Sequence, residues 1–157
     1  MARRRKYAPA RRLARRFRRV LHYRAIIAIA AILLVAAIFH ATDDPLWRAI
    51  VRVESGGNPR AYNRKTGAAG IAQIRTVVVD DCNRILGYCR FTYEDRWSPA
   101  ESRRMFRIYT RYYAHLYEKK TGLRATDEIR ARIWNGGPEG YRLKETAEYW
   151  ERVRKAY

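Results

Sequence analysis

Residues 45–57 read PLWRAIVRVESGG, and this stretch decides the fold. Thr42 or Asp43 can cap a helix that follows, because their side chains accept hydrogen bonds from the free amides of a first turn. Pro45 suits the first position of such a helix, and the glycines at 56 and 57 suit its end. The sequence therefore predicts a helix that begins near residue 45 and ends before residue 56.

Glu54 lies near the end of this predicted helix, on its apolar side. Trp47, Ile50 and Val51 precede it by seven, four and three positions. Residues at these spacings are neighbours on one helical face, so Glu54 continues a stripe of core side chains. Desolvation on an apolar face and the negative end of the helix dipole both disfavour an ionised carboxylate, which raises its pKa.

Two interpretations of Glu54 follow from this position. A carboxylic acid that stays protonated near neutral pH can donate a proton to a leaving oxygen, which is general acid catalysis. Alternatively, Glu54 is a partly exposed residue at a helix end, or it pairs with an arginine such as Arg52 or Arg75. A lone glutamate does not decide between these interpretations.

Two amide side chains add to the pattern. Gln73 stands in GAAGIAQI, residues 67–74, after small residues that allow a close approach of the backbone. Asn135 stands in RIWNGGP, residues 132–138, beside two glycines. Amides read sugar hydroxyl and acetamido groups well, because each offers two donor hydrogens and an acceptor oxygen.

The order of these motifs resembles the lysozyme-like lytic transglycosylases of the soluble-lytic type. That family reads E-S, then G-L-M-Q, then A-Y-N-x-G, and this chain has Glu-Ser at 54–55, GIAQI at 70–74 and WNGGP at 134–138. The resemblance covers residues 45–153. The chain is similar in form to short members of the family that are found in phages and mobile elements. It implies a mainly α, lysozyme-like fold, a groove for peptidoglycan, and Glu54 as both acid and base.

The resemblance also implies which residues contact the glycan. Tyrosine can pack while offering a hydroxyl or a ring to a sugar, so two tyrosines join the amides as candidates. Trp134 stands where the family often has tyrosine, so a hydroxyl that could bond the catalytic acid is missing there. Ala72 replaces the usual methionine, which predicts looser packing beneath the sugar. The predicted substrate-binding residues are Ser55, Gln73, Tyr109, Trp134, Asn135 and Tyr149.

The number of carboxylates near Glu54 indicates which reaction the chain can catalyse. No Asp or Glu lies between Ser55 and Val79, and Asp80 and Asp81, in or beside a predicted helix, are expected to be solvated or capping. Most glycosidases use two carboxylates. A single Glu suffices if the 6-hydroxyl of N-acetylmuramic acid attacks its own C1 to give a 1,6-anhydro ring. The alternatives are a muramidase that uses water and a degenerate, wall-binding membrane protein.

Helical signals continue through the rest of residues 42–157. Ser98 and Glu101 form a capping box before a helix that ends at Gly122. Further helices are predicted in TVVVDDCNRILG, TDEIRARIWNGG and ETAEYWERVRKAY, and residues 58–70 predict a small hairpin or an irregular loop. The long helix should pack a face of Met105, Phe106, Tyr109, Tyr113 and Leu116.

The charge of the chain is concentrated at its start. The net charge is +19, and residues 1–24 carry eleven Arg or Lys and no acid. Residues 25–39 are uncharged and apolar. This predicts a basic cytoplasmic or membrane-surface segment at 1–24, one transmembrane helix at 25–41, and a domain at 42–157 outside the cytoplasm. A cleaved signal peptide, with Val35-Ala36-Ala37 before the cut, and a nucleic-acid-binding arm are the alternatives.

The remaining composition bounds cofactors and partners. Two cysteines, Cys82 and Cys89, and three histidines are too few and too scattered for a zinc pattern, so no metal or cofactor is expected. The cysteines form a disulfide or remain free thiols. The expected partners are peptidoglycan glycan strands, the membrane, and envelope or phage assembly proteins, with no nucleic acid.

Overall fold

The computed structural model of the protein describes residues 22–24, 26–31 and 44–157. The chain divides into two units at Asp43, and each is described by itself. In the first unit, residues 22–24 and 26–31 are helical. No helix within the described residues is long and apolar enough to cross a membrane. Most of the anchor predicted at 25–41 lies outside the described residues.

The second unit, Asp44–Tyr157, is helical with one small hairpin among its described residues. Two short 3-10 helices, Tyr93–Trp97 and Gly140–Arg142, lie between the longer elements. The mainly α fold class predicted from the sequence is confirmed. The elements are α1 Pro45–Ser55, β1 Tyr62–Asn63, β2 Ala68–Ala69, α2 Thr76–Leu86, α3 Pro99–Thr121, α4 Asp127–Gly136 and α5 Lys144–Lys155.

Helix α1 forms where the sequence predicts it, but with a different cap. The carboxylate of Asp44 accepts a hydrogen bond from the Trp47 amide at 3.2 Å, so Asp44, rather than Thr42 or Asp43, is the N-cap. Pro45 follows in the first turn, and Gly56 ends the helix with φ 64°. A left-handed residue there suits glycine because it has no Cβ to clash. The predicted caps, Thr42 and Asp43, lie two residues and one residue before the observed one.

Helix α3 carries half of its predicted capping box. The Ser98 hydroxyl accepts from the Glu101 amide at 3.4 Å. The Glu101 carboxylate instead bonds Arg90 and Arg104, each at 3.2 Å. Gly122 ends the helix as predicted. The serine therefore fixes the start of the helix, while the glutamate ties it to neighbouring charges.

The core sits between α1, α3, α4 and α5. Phe106 is fully buried, and its ring centroid lies 5.3 Å from that of Trp47 and 5.1 Å from that of Trp134. The predicted core face of α3 is confirmed except at its last position. Leu116 is 40% exposed and Tyr117 is buried instead. Successive residues point in different directions around a helix, and at this point of α3 residue 117 faces the core.

The hairpin predicted between residues 58 and 70 is confirmed. Strands β1 and β2 are antiparallel, with Tyr62 opposite Ala69 and Asn63 opposite Ala68. Gly70 follows with φ 76°, and a Cβ on Gly70 would lie 1.8 Å from the carbonyl oxygen of Arg96. Only glycine allows this contact. Gly70 therefore lets the end of the hairpin pack directly against the 3-10 helix Tyr93–Trp97.

The other predicted helices are present as α2, α4 and α5. Gly87 ends α2, and Gly137 follows α4. Both cysteines are free thiols. Cys82 is buried in α2, where its sulfur lies 3.5 Å from the Met105 carbonyl oxygen, and Cys89 is exposed.

Candidate active site

A groove with a volume of about 660 Å³ opens where the end of α1 meets the hairpin, α2, α3, the end of α4 and α5. Glu54 lies in its wall, and Tyr109, Trp134, Gly137 and Pro138 add to its lining. A concave site of this size with a few polar groups is typical of ligand-binding sites. Its charged and amide residues are Glu54, Asn63, Gln73, Arg75, Asp81, Asn135 and Arg152.

Glu54 has the electrostatic character that its sequence position predicts. Burial raises the pKa of this carboxyl from 4.5 to about 7, because desolvation disfavours the charged form. A hydrogen bond from Tyr149 and the positive charge of Arg152 act in the opposite direction. Near neutral pH the group therefore exists in both protonation states, as a group that alternates between acid and base requires.

Tyr149 supplies the hydroxyl that the sequence pattern lacks at Trp134. Its hydroxyl lies 2.8 Å from Oε1 of Glu54 and donates to it. Trp134 offers no hydroxyl, as its sequence position predicts, and α5 brings the hydroxyl of Tyr149 to the acid from a distant part of the chain. Trp134 lies edge-on to Phe106 and Tyr109, with ring centroids 5.1 and 5.9 Å away.

Arginines do not neutralise Glu54 in an ion pair within the described part of the chain. Arg52 donates to the carbonyl oxygen of Ala156 at 3.1 Å, and Arg75 lies in the groove wall. Arg152 acts on Glu54 without an ion pair, since its positive charge lowers the pKa of that carboxyl. The guanidinium carbon of Arg152 lies 5.6 Å from the centroid of the Tyr149 ring. The alternative that Glu54 is a structural ion-pair residue has no support in this geometry.

Gln73 and Asn135 both reach the groove, as the sequence predicts. Gln73 has a left-handed backbone, φ 49°, which is uncommon outside glycine. Its amide nitrogen donates to the carbonyl oxygens of Ala61 and Gly70 at 3.2 and 3.1 Å. These bonds fix the amide so that its oxygen is the group left for a ligand. Asn135 is exposed near the end of α4.

The remaining predicted site residues fall into two groups. Tyr109 and Trp134 line the groove. Ser55 and Tyr149 lie outside the described lining: the Ser55 hydroxyl donates to the Ile71 carbonyl at 2.7 Å, and Tyr149 is 2% exposed. Ser55 ties the end of α1 to the GIAQ segment, and Tyr149 contacts Glu54, so both hold the acid in place.

Asp81 was missed by the sequence reasoning, which expected it to be solvated or capping. It lines the groove with its side chain 18% exposed. Its carboxylate accepts a hydrogen bond from the Tyr113 hydroxyl and pairs with Arg84 at 2.6 Å. Helical spacing gave a signal for Asp81, which lies three residues after Val78 and four before Ile85, both partly buried against the core, whereas Asp80 is exposed.

Two other groove residues, Asn63 and Arg152, carried no signal in the sequence, and Arg75 was named there only as a possible ion-pair partner of Glu54. Asn63 lies on β1, Arg75 precedes α2, and Arg152 lies on α5. Each lies in an element whose position is set by packing rather than by a local motif. Their convergence gives the groove two arginines and two carboxyl groups, together with three amides.

Comparison with known proteins agrees with this geometry. A family model described as the transglycosylase SLT domain matches residues 36–120. The chain belongs to this family. The match includes Glu54 and Gln73 and ends before Asn135, which the fold brings to the same groove. The SLT domain makes this chain a lysozyme-like, peptidoglycan-cleaving enzyme.

Two further relatives are lysozymes or their complexes. A lysozyme of Magallana gigas is 31% identical to this SLT domain over 110 residues, which cover 69% of this chain and 75% of that protein. A chain in the crystal structure of Aeromonas hydrophila PliI in complex with Meretrix lusoria lysozyme superposes with a TM-score of 0.60 and 26% identity. That match covers 72% of this chain and 88% of the other.

Proposed function

We propose that this SLT domain is a lytic transglycosylase. It cleaves the β-1,4 bond between N-acetylmuramic acid and N-acetylglucosamine and leaves a 1,6-anhydro end on the muramic acid. The observation that carries the proposal is the half-buried Glu54, whose pKa is raised to about 7 in a groove lined by three amide side chains. One carboxyl group then serves both proton transfers.

In the first transfer, protonated Glu54 gives its proton to the glycosidic oxygen as the bond from C1 of the muramic acid breaks. N-acetylglucosamine leaves with a new 4-hydroxyl. In the second, the Glu54 carboxylate takes the proton of the muramic 6-hydroxyl while that oxygen bonds C1. The attack is intramolecular, so no water has to be positioned. The enzyme ends protonated and ready for another cycle.

The surroundings of Glu54 suit this alternation. Tyr149 donates to the carboxylate at 2.8 Å and stabilises its charged form, while burial stabilises the neutral form. Arg152 stabilises the charged form further. These opposing effects hold the pKa of Glu54 near the pH at which both forms are needed.

Hydrolysis is the second candidate, and two observations favour it. Asp81 puts another carboxyl group in the groove, and the Magallana gigas relative is a lysozyme. Asp81, however, is already engaged by Tyr113 and Arg84. A carboxylate held by two partners is a weaker base and nucleophile than a free one, so transglycosylation remains the proposal.

Replacement of Glu54 tests whether this residue carries the cleavage. Glu54→Gln should lower the clearing of purified cell walls by about 10²–10⁴-fold, the usual contribution of a general acid. Glu148→Gln is the matched control, since Glu148 is exposed on the same helix as Tyr149. Near-full activity in Glu54→Gln, or equal losses in both variants, would show that the acid has been misassigned.

We also propose that residues 1–41 hold the domain on the outer face of a membrane. The eleven basic residues at 1–24 and the apolar run at 25–39 support this orientation. Protease added to spheroplasts should digest the domain of the native chain, and replacing the arginines at 3–19 by glutamine should reduce that digestion. Protection of the native domain would contradict the orientation. A phage origin stays a prediction.

A further inference from the structure

A second cavity lies away from the residues that line the catalytic groove. Its volume is about 710 Å³, and it is formed by residues 107–118 of α3, the turn after α3, the start of α4 and the cap of α1. Four arginines line it together with one histidine. They are Arg107, Arg111, Arg124, Arg130 and His115.

The acids in this cavity are already engaged. Asp44 caps α1 through the Trp47 amide, and it also lies 3.9 Å from Arg130. Glu118 accepts a hydrogen bond from the Ala125 amide at 2.9 Å. Their negative charges are therefore used to fix the ends of helices and turns, and only Arg130 is paired with one of them.

Three arginines remain without a partner among the described residues. Arg107, Arg111 and Arg124 are exposed at the cavity and form no hydrogen bond, ion pair or ring contact there. Within residues 44–157 the acids of this cavity, Asp44 and Glu118, are fewer than its four arginines. The cavity therefore presents an excess of positive charge to any ligand.

The spacing of two of these arginines on α3 adds to the excess of positive charge. Arg107 and Arg111 are four residues apart, so they are neighbours on one helical face. Like charges at this spacing destabilise a helix unless something of opposite charge lies between them. The Arg124 side chain joins them from the following turn. An anion bound in the cavity would relieve the repulsion among all three.

We propose that this cavity binds a phosphodiester group. Guanidinium groups match the oxygens of phosphate and carboxylate in paired hydrogen bonds. A phosphodiester offers a tetrahedral arrangement of oxygens, so guanidinium groups that approach from different elements can each find an acceptor. A carboxylate is planar and is satisfied by one or two such groups. The volume leaves room for the alcohol groups on either side of the phosphate.

Two envelope sources carry this chemistry: the headgroup of an anionic phospholipid and a polymer of glycerol phosphate. The soluble diester glycerophosphoglycerol is the common probe, measured by calorimetric titration of the full chain in neutral detergent. Short-chain phosphatidylglycerol and a poly(glycerol phosphate) oligomer are then titrated in the same way. Tighter binding per phosphate of one or the other identifies the source.

The cavity variant replaces Arg107, Arg111 and Arg124 by glutamine together. A control variant replaces three exposed cations outside the described cavity and groove: Arg60, Lys119 and Lys144. Both variants lose the same net charge, and both keep the basic residues at 1–24. Thermal unfolding and wall clearing, which use other residues, verify that each variant is folded.

The cavity variant should bind glycerophosphoglycerol at least about tenfold more weakly than the native chain, since each charge-assisted contact contributes on that scale. The control variant should stay within about twofold, because its charges act only at long range and are screened. Equal losses in the two variants, unchanged binding by the cavity variant, or no saturable binding by the native chain would overturn the proposal.

Discussion

The hydroxyl of Tyr149 donates to Oε1 of Glu54 at 2.8 Å and joins residues 95 positions apart in the chain. Tyr149 is buried on α5, and its pKa is raised well above 10, chiefly by burial, so its proton stays on the phenol. Glu54 lies in the last turn of α1, where burial raises its own pKa to about 7. The pair is a permanent donor facing a carboxyl group that can change its protonation state.

Tyr149→Phe should move the pH dependence of activity toward higher pH. The hydrogen bond from Tyr149 lowers the pKa of Glu54, so its loss raises that pKa. Because the first step needs protonated Glu54, kcat/KM falls as pH rises through this pKa, and the fall should begin at higher pH in the variant. The measurement is kcat/KM against pH on a soluble glycan oligomer.

Tyr141→Phe is the matched control for that experiment. The Tyr141 hydroxyl bonds Glu139 at 2.9 Å on the exposed surface, so this variant also loses a tyrosine-carboxylate hydrogen bond. Its pH profile should follow the native one. An unmoved profile in Tyr149→Phe, or a shift toward lower pH, would mean that this hydroxyl does not tune the acid.

Glu54→Gln should stabilise the folded protein at alkaline pH. The folded state holds the Glu54 proton up to about pH 7, whereas the unfolded chain releases it near 4.5. The native protein therefore loses stability, relative to the variant, as pH rises between these values. Each pH unit corresponds to about 1.4 kcal/mol, so the margin should reach about 3 kcal/mol at pH 8.

Denaturant unfolding at pH 4 and pH 8 measures this margin. The two proteins should be closely similar at pH 4, where Glu54 is protonated in the folded and unfolded states alike. Glu148→Gln, at an exposed position of α5, is the control for the loss of one carboxyl group. A variant that is less stable than the native protein at pH 8 would contradict the raised pKa.

The sequence predicts the acid and its helix because the information there is local. Spacing from Trp47, Ile50 and Val51 places Glu54 on the core side of α1, and Gly56 ends the helix beside it. Gln73 and Asn135 follow from short motifs, and both reach the groove. The predicted core face of α3 fails only at Leu116, which is exposed, while the next residue, Tyr117, is buried.

Long-range relationships could not be read in the same way. Tyr149 and Arg152 act on Glu54 because α5 packs beside α1, and no spacing rule connects these helices. Asp81 is also a tertiary result, since Tyr113 on α3 turns its carboxylate into the groove wall. Ser55 has a short motif but acts through the backbone of Ile71, a contact that the hairpin creates.

Asp81→Asn should cost little activity and some stability. Asp81 pairs with Arg84 and accepts from Tyr113, so the variant should lose about 1 kcal/mol of unfolding free energy. Wall clearing should stay within about tenfold of the native rate, because the proposed reaction asks nothing of a second carboxylate. Asp80→Asn, next to it and exposed, is the control. A loss of about 10²-fold or more confined to Asp81→Asn would favour hydrolysis.

The direct test of the account is the chemistry of the ends that the enzyme releases. Purified peptidoglycan is digested by the full chain in water enriched in oxygen-18, and the fragments are examined by mass spectrometry before and after borohydride reduction. Transglycosylation predicts muramic ends that are one water lighter, contain no oxygen-18 and resist reduction. Fragments that gain one oxygen-18 atom at a reducible muramic end would contradict the proposed reaction and make this SLT domain a muramidase.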